Sequence, residues 1–193
     1  MTSSSTARSL SRIITAHQQL EGAGFLVRRP FPTQELDQLD PFLMLDEVGP
    51  VTYAPGEAIG APDHPHHGIE TVSYILLGEK LHEDSAGKTQ LIGPGDVQWM
   101  TAGAGIVHSE LPGPVFKASG GLAHGFQIWV NLPVLRKFAE PGYQYPKAEQ
   151  IAKPGWAYRC ASCRGRSFRR DIRYRRTDAH LAAGLAGRAW CLR

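Results

Sequence analysis

Cysteine, long apolar runs and, toward the end of the chain, lysine are scarce in this sequence of 193 residues. The three cysteines (Cys160, Cys163 and Cys191) all follow residue 155, so the segment before them can form no disulfide and fits a reducing compartment. No apolar run approaches the roughly 20 residues of a membrane-spanning helix, and the Ser- and Thr-rich start lacks the apolar stretch of a secretory signal. These absences predict a cytoplasmic protein without a membrane segment.

Charge divides the chain into two parts of opposite sign. Residues 1–155 hold 11 basic and 16 acidic side chains, whereas residues 156–193 hold ten arginines, two aspartates and no lysine. The arginines would attract nucleic acid by charge alone, but no recognition motif accompanies them, so we expect no specific nucleic-acid binding. A zinc site built from the three tail cysteines and His180 is disfavoured, because the spacings after Cys160 and Cys163 fit no common zinc finger.

Glycine- and proline-rich turns divide residues 1–155 into short segments with the composition of β-strands. In residues 71–77 an apolar row of Val72, Tyr74 and Leu76 alternates with Thr71 and Ser73, as in a half-buried strand. Further strands are predicted at residues 25–27, 42–48, 80–84, 89–92, 97–100, 106–111 and 122–132. Residues 50–63 are predicted as a loop and residues 134–139 as one helical turn. This pattern predicts an all-β barrel or sandwich.

Two short motifs carry metal-competent side chains at positions i and i+2. His64 and His66 flank Pro65, and His108 and Glu110 flank Ser109. Positions i and i+2 of a strand point to the same face, so two neighbouring strands would present three imidazoles and a carboxylate to one point. This set suits Fe(II), Mn, Ni, Co, Cu or Zn and leaves coordination positions open. The alternatives are polar residues without a metal and a closed structural zinc site, although such zinc sites usually contain thiolates.

Five further residues are candidates for the surroundings of this site. Glu70 shares strand parity with the two histidines of the first motif, and it would orient a ligand if the strand continued regularly. His67 has the opposite parity, which favours an outward or rim position. His124 is interpreted as a histidine of the core or of the cavity wall. Gln98 is a candidate for contact with the cavity, as is Trp129.

Longer stretches around these motifs resemble the signature of the pirin family, within the cupin superfamily. The matching segments are DHPHHGIETVSY at residues 63–74, GPGDVQWMTAG at 93–103, GIVHSE at 105–110, DPF at 40–42 with LDE at 45–47, and HGFQ at 124–127 with WVNLP at 129–133. The likeness runs from about Arg8 to about Pro154. It implies an N-terminal cupin (jelly-roll) barrel in residues 1–155.

The resemblance also implies a function. In that family the two histidines of the HxH motif and the later His and Glu hold iron, which corresponds here to His64, His66, His108 and Glu110. Several members have quercetin 2,3-dioxygenase activity, so we expect a flavonol-like substrate, dioxygen as co-substrate and Glu110 as general base. Other members act as regulators, so the alternative is a non-enzymatic, iron-binding protein that docks to an enzyme or a transcription factor.

The sequence departs from the family pattern in three places. His67 and Ala104 stand where arginines are usual, which predicts a different local charge beside the metal. Family members carry a second barrel after about residue 155, whereas residues 156–193 lack strand-like alternation. Their bias toward Arg, Ala, Gly and Cys is typical of a shifted reading frame in a GC-rich gene. We therefore hypothesise that this tail is out of frame and irregular, and that the protein self-associates through apolar surface that a second barrel would cover.

Overall fold

The computed structural model describes residues 12–151 and, by their backbone alone, two short strands at residues 184–186 and 189–192. In chain order the strands are β1 (Arg12–Thr15), β2 (His17–Glu21), β3 (Phe25–Phe31), β4 (Phe42–Tyr53), β5 (Ala61–His66), β6 (Ile69–Leu77), β7 (Lys80–Asp84), β8 (Thr89–Ile92), β9 (Val97–Thr101), β10 (Ile106–Pro112), β11 (Gly121–Asn131), β12 (Gly142–Gln144), β13 (Gly184–Ala186) and β14 (Ala189–Leu192). Helix α1 spans Pro114–Ser119, and a 3₁₀ helix spans Val134–Arg136.

The chain divides into two compact units, and the first of them combines residues Met1–Ala16 with Ala152–Arg193. Its described residues form a three-stranded antiparallel sheet in the order β1, β14, β13. The sequence indicated no strand after residue 155, and here the structure differs. The physical reason is that strands pair through backbone hydrogen bonds, which four residues can make without side-chain alternation. The rest of the predicted irregular tail lies outside the described residues.

The second unit, His17–Ile151, contains a seven-stranded and a four-stranded antiparallel sheet. The larger sheet has the order β12, β9, β6, β11, β4, β3, β2, and the smaller has the order β5, β10, β7, β8. Side chains bridge the two sheets: Ser73 on β6 hydrogen-bonds Glu110 on β10, and His82 on β7 hydrogen-bonds Tyr143 on β12. The sheets therefore face each other across a shared interior, and the predicted all-β fold is confirmed.

Local structure departs from the sequence prediction in three places. The loop predicted at residues 50–63 is shorter, because β4 stays paired with β11 as far as Tyr53 and β5 begins at Ala61. Helix α1 was not predicted, since six residues are too few to show helical periodicity. Its ends carry ordinary signals, with a proline in the first turn and Gly120 at the C-cap. The helical turn predicted at residues 134–139 is a 3₁₀ helix over Val134–Arg136.

The helices of the described residues are short. None of them combines the length and the apolar character that crossing a membrane would require.

Candidate metal centre

Three imidazoles meet where β5 and β10 pair. The antiparallel register places His64 opposite His108 and His66 opposite Ile106. One nitrogen from each of the three histidines falls within 4.8 Å of the others. Two nitrogens that share one ion at bonds of about 2.1 Å are at most about 4.2 Å apart, so small ring rotations would bring all three onto one ion. The predicted convergence of these histidines is present.

The state of these imidazoles suits a metal ion. Burial lowers the pKa of His66 to about 4 and that of His108 to about 3, so both rings are neutral at neutral pH and keep a lone pair. The Nε2 of His108 is buried and has no hydrogen-bond partner among the described residues. His64 lies with its Nδ1 2.7 Å from the carbonyl oxygen of Pro62, and donation there leaves Nε2 as the acceptor. The residues present therefore fit a bound metal ion.

Glu110 lies near the imidazoles but outside their cluster. Its Oε1 accepts hydrogen bonds from Ser73 Oγ at 2.7 Å and from Lys80 Nζ at 3.0 Å. Burial acts to raise the pKa of Glu110, but the Lys80 charge, His108 and the Ser73 hydroxyl outweigh it and lower that pKa to about 2. The carboxylate is thus ionised and held by an ammonium group. Its predicted role as a fourth metal ligand stays a prediction.

A cavity of about 720 Å³ lies beside the cluster. Its wall is mostly apolar and also contains polar side chains, among them His64, His66, Glu110, Lys80 and Gln127. This size and this balance of apolar and polar groups are typical of sites for small organic molecules. Trp129 also lines the cavity and meets the His66 ring edge-on, with 5.0 Å between ring centroids. The cavity therefore has room for a small organic molecule next to the imidazoles.

The other predicted residues lie at varied distances from this centre. His124 lines the cavity, where its Nε2 is 2.9 Å from Glu47 Oε1. Gln98 is 2% exposed and lies opposite Ser73 in the sheet, but it is not part of the cavity wall. His67 is exposed and also lies outside that wall.

The chain between His66 and Glu70 is not the regular strand on which the prediction for Glu70 depended. That strand would run through His64, His66 and Glu70, but β5 ends at His66 and Gly68 has a φ of +66° before β6 begins. Parity is lost across such a break, so it does not place Glu70 with the histidines. Glu70 is 7% exposed and accepts a hydrogen bond from Thr101 Oγ1 at 2.8 Å.

The sequence predicted the strand at residues 80–84, but the polar groups that it contributes to the interior were not among the predicted site residues. On β7, Lys80, His82 and Asp84 share one face, and His82 is fully buried beside His108. The i, i+2 alternation that identified the histidine pairs is present here as well. Because residues 80–84 were already predicted as a strand, this alternation could have identified the shared face.

Two facing antiparallel sheets with imidazoles gathered beside a large cavity define an all-β barrel of the cupin type with a candidate metal centre. The family model named Pirin matches residues 24–130, and the chain belongs to this family.

Relatives and a solved structure agree with this assignment. The chain is 46% identical over 150 residues to pirin of Homo sapiens. The aligned region covers 77% of this chain and 48% of that protein. It is 42% identical over 147 residues to a Pseudomonas aeruginosa protein provisionally named as a quercetin 2,3-dioxygenase, over 76% of this chain and 50% of that one. A crystal structure of quercetin 2,3-dioxygenase from Acinetobacter baumannii superimposes with a TM-score of 0.69 at 40% identity, covering 74% of this chain and 51% of that chain. The chain thus spans about half the length of these proteins.

Proposed function

We propose that this protein is an iron-dependent dioxygenase of the quercetinase type, which opens the ring of a flavonol with dioxygen and releases carbon monoxide. The observation that carries the proposal is a cluster of three imidazoles beside a mostly apolar cavity of about 720 Å³. The names of the Pseudomonas and Acinetobacter relatives support the same reaction. The chain covers about half of each of these relatives, so the assignment of their activity to this chain is a proposal.

His64, His66 and His108 would hold the ion, with Glu110 as the fourth ligand if it leaves Lys80. Imidazole and carboxylate donors suit Fe(II), and Ni, Mn, Co, Cu and Zn are the alternatives that this ligand set also accepts. When bound, the ion would supply a Lewis acid for the flavonol oxygens and an electron donor for dioxygen.

The protein's own residues would bind the substrate and move one proton. The apolar cavity wall, with Trp129 next to His66, would hold the flat flavonol rings and exclude water. Glu110, ionised and lining the same cavity, would accept the proton of the flavonol 3-hydroxyl on a carboxylate oxygen. While Glu110 acts as the base and not as a ligand, Lys80 and Ser73 would hold its carboxylate in place.

The test is to mix iron-loaded protein with quercetin in air and to follow the loss of flavonol absorbance together with the release of carbon monoxide. We expect turnover by the wild type and none by His108→Ala. His67→Ala is the matched control and should retain turnover, because His67 is exposed and lies outside the cavity wall. Absence of turnover by a wild-type protein with iron fully bound would contradict the enzymatic proposal.

That negative result would favour the second candidate, an iron-binding regulatory protein that docks to an enzyme or a transcription factor. The observation in its favour is a short segment with three large apolar side chains in solvent: Val134, Leu135 and Phe138 are 80%, 97% and 85% exposed.

A cytoplasmic location stays a prediction from the sequence.

A further inference from the structure

A second group of polar side chains, of which His82 is fully buried, lies against His108. His82 is fully buried, and its Nδ1 is 3.2 Å from the Nδ1 of His108. The other ring nitrogen of His82, Nε2, is 3.2 Å from the hydroxyl oxygen of Tyr143, and that hydroxyl donates a hydrogen bond to Asp84 Oδ2. Neither His82, Tyr143 nor Asp84 is part of the cavity wall, so substrate contact does not account for the group.

The carboxylate end of the group determines the direction of its first hydrogen bonds. Asp84 Oδ1 accepts the backbone N–H groups of Ala86 at 2.8 Å and Lys88 at 2.9 Å, and Oδ2 accepts the Tyr143 hydroxyl. Burial acts to raise the pKa of Asp84, but these donors outweigh it and lower that pKa, so the group is a carboxylate. A carboxylate only accepts, so the single proton of the Tyr143 hydroxyl points toward Asp84.

The positions of the ring protons on His82 and His108 then follow in turn. Since the Tyr143 hydroxyl donates its only proton to the hydrogen bond with Asp84, its oxygen can only accept from His82. His82 Nε2 must therefore donate to Tyr143. A neutral His82 with its proton on Nε2 has an accepting Nδ1, so His108 Nδ1 must donate to His82. His108 is then left with its lone pair on Nε2. That atom is the buried nitrogen without a hydrogen-bond partner among the described residues.

We propose that Asp84, Tyr143 and His82 form a hydrogen-bonded chain that fixes the tautomer and the ring orientation of His108, so that its Nε2 is prepared to hold the metal ion. The three are positioning residues, since they act through His108. The inference rests on the proposed metal centre. A histidine ligand commonly donates its second ring N–H to such a partner, and here the partner is another imidazole anchored on a buried carboxylate.

The first test needs no variant and no metal. The ¹⁵N NMR spectrum of the metal-free wild type, with histidine labelled, reports which ring nitrogen carries the proton. We expect the proton of His108 on Nδ1 and that of His82 on Nε2. The opposite tautomer of His108, or an equal mixture of both tautomers, would overturn the inference whatever the affinity for metal.

The second test measures Ni²⁺ affinity by calorimetry at neutral pH, because this ion is stable in air and imidazole binds it well. His82→Leu and Tyr143→Phe should weaken binding by roughly 10–100-fold, the usual effect of losing an orienting partner. His82→Gln should recover much of the loss, because its amide oxygen can accept from His108 Nδ1. Tyr145→Phe is the matched control: this ring stacks parallel to Tyr143 at 5.6 Å, but its hydroxyl is not part of the chain, so affinity should not change.

The outcomes separate this inference from the proposal on which it rests. A wild type that binds no Ni²⁺ would overturn the metal centre and the inference together. A wild type that binds Ni²⁺ with the same affinity as folded His82→Leu and Tyr143→Phe would overturn the inference alone. Rescue by His82→Gln distinguishes positioning from packing, because a structural role would not depend on an acceptor at that place.

Discussion

At the scale of single residues, burial and neighbouring charges set the chemistry of the candidate centre. Burial lowers the pKa of His66 and His108, so both imidazoles are neutral at neutral pH, whereas Lys80 keeps Glu110 ionised in spite of its burial. The same interior thus holds neutral imidazoles and a charged carboxylate side by side. Lys80 is the residue on which this difference depends most directly.

Removing the Lys80 charge should destabilise the protein. The Lys80 and Glu110 side chains are 20% and 8% exposed, and Lys80→Met would leave a buried carboxylate without its cation. Breaking such a buried pair typically costs about 3 kcal/mol, so the free energy of unfolding should fall by about that amount. Urea denaturation of the metal-free proteins measures the difference. Glu110→Gln in the Lys80→Met background should recover part of this loss, because the unpaired charge is gone. Equal stability of Lys80→Met and wild type would contradict the importance of the pair.

Sequence alone could predict that His64 and His66 share a face, but not which partner each side chain would meet. The i, i+2 rule placed His64 with His66, and the register of β5 with β10 then brought His108 opposite His64. Glu110 shares a strand with His108, yet the β5–β10 register shifts between them and Glu110 bonds to Ser73 and Lys80. The spacing of residues along the chain predicts neither a register shift nor a contact between two sheets.

At the scale of strands and turns, the link between β9 and β10 positions the start of the strand that carries His108. Gly103 lies in this link with a φ of +51°, and its carbonyl oxygen accepts the Gly68 N–H at 2.7 Å, which ties together the links that follow β9 and β5. A Cβ atom at Gly103 would come 2.0 Å from the Ala139 carbonyl oxygen. Backbone conformation and close approach both require glycine here.

Gly103→Ala should therefore lower the free energy of unfolding by more than about 1 kcal/mol. Gly142→Ala is the matched control, because no atom lies within 4 Å of its added Cβ and its φ is not in the left-handed region. Denaturant titration of both variants measures the difference. An equal effect of the two substitutions would show that the turn tolerates a side chain.

The turn between β8 and β9 gives a prediction for acid stability. Asp96 Oδ2 lies 2.8 Å from Lys147 Nζ and accepts the Gly93 N–H at 3.2 Å, while Oδ1 accepts the Ala148 N–H at 3.0 Å. Burial acts to raise the pKa of Asp96, but these partners outweigh it and lower that pKa below its ordinary value of 3.8. A carboxyl whose pKa is lower in the folded state stabilises the protein above the unfolded-state pKa and loses that contribution as the pH falls through the folded-state pKa.

Asp96→Asn should therefore be less stable than wild type at pH 7, and the difference should shrink as the pH falls below 3.8, the ordinary pKa. Thermal melts of both proteins from pH 7 to acidic pH measure this convergence. A difference that stays constant across the whole range would mean that the carboxyl pKa is not lowered in the folded state.

At the scale of the whole molecule, the residues of the candidate centre belong to one unit. The three histidines, Glu110 and the His82 chain all lie in His17–Ile151. The family and the all-β fold could be predicted from sequence because the motif residues are dense in this unit. The strands of the tail could not, because their side chains show no alternation.

The exposed apolar segment of this unit predicts self-association. Val134, Leu135 and Phe138 are all at least 80% exposed, and Lys137 holds the segment in place through hydrogen bonds to Gly68 O at 3.0 Å and Asn131 Oδ1 at 2.6 Å. Changing Leu135 and Phe138 to serine should raise the monomer fraction in sizing chromatography with light scattering. Val115→Ser is the control, an exposed apolar residue on α1 away from this segment in sequence. A wild type that is already a monodisperse monomer would contradict this prediction.

The central claim is that His64, His66 and His108 hold one metal ion. The most direct measurement is anomalous X-ray diffraction from metal-loaded crystals, combined with the metal content of the dissolved protein. We expect one ion per chain, bonded to a nitrogen of each of the three imidazoles. Saturating metal that leaves these three rings without an ion, or an ion bound only elsewhere on the chain, would contradict it.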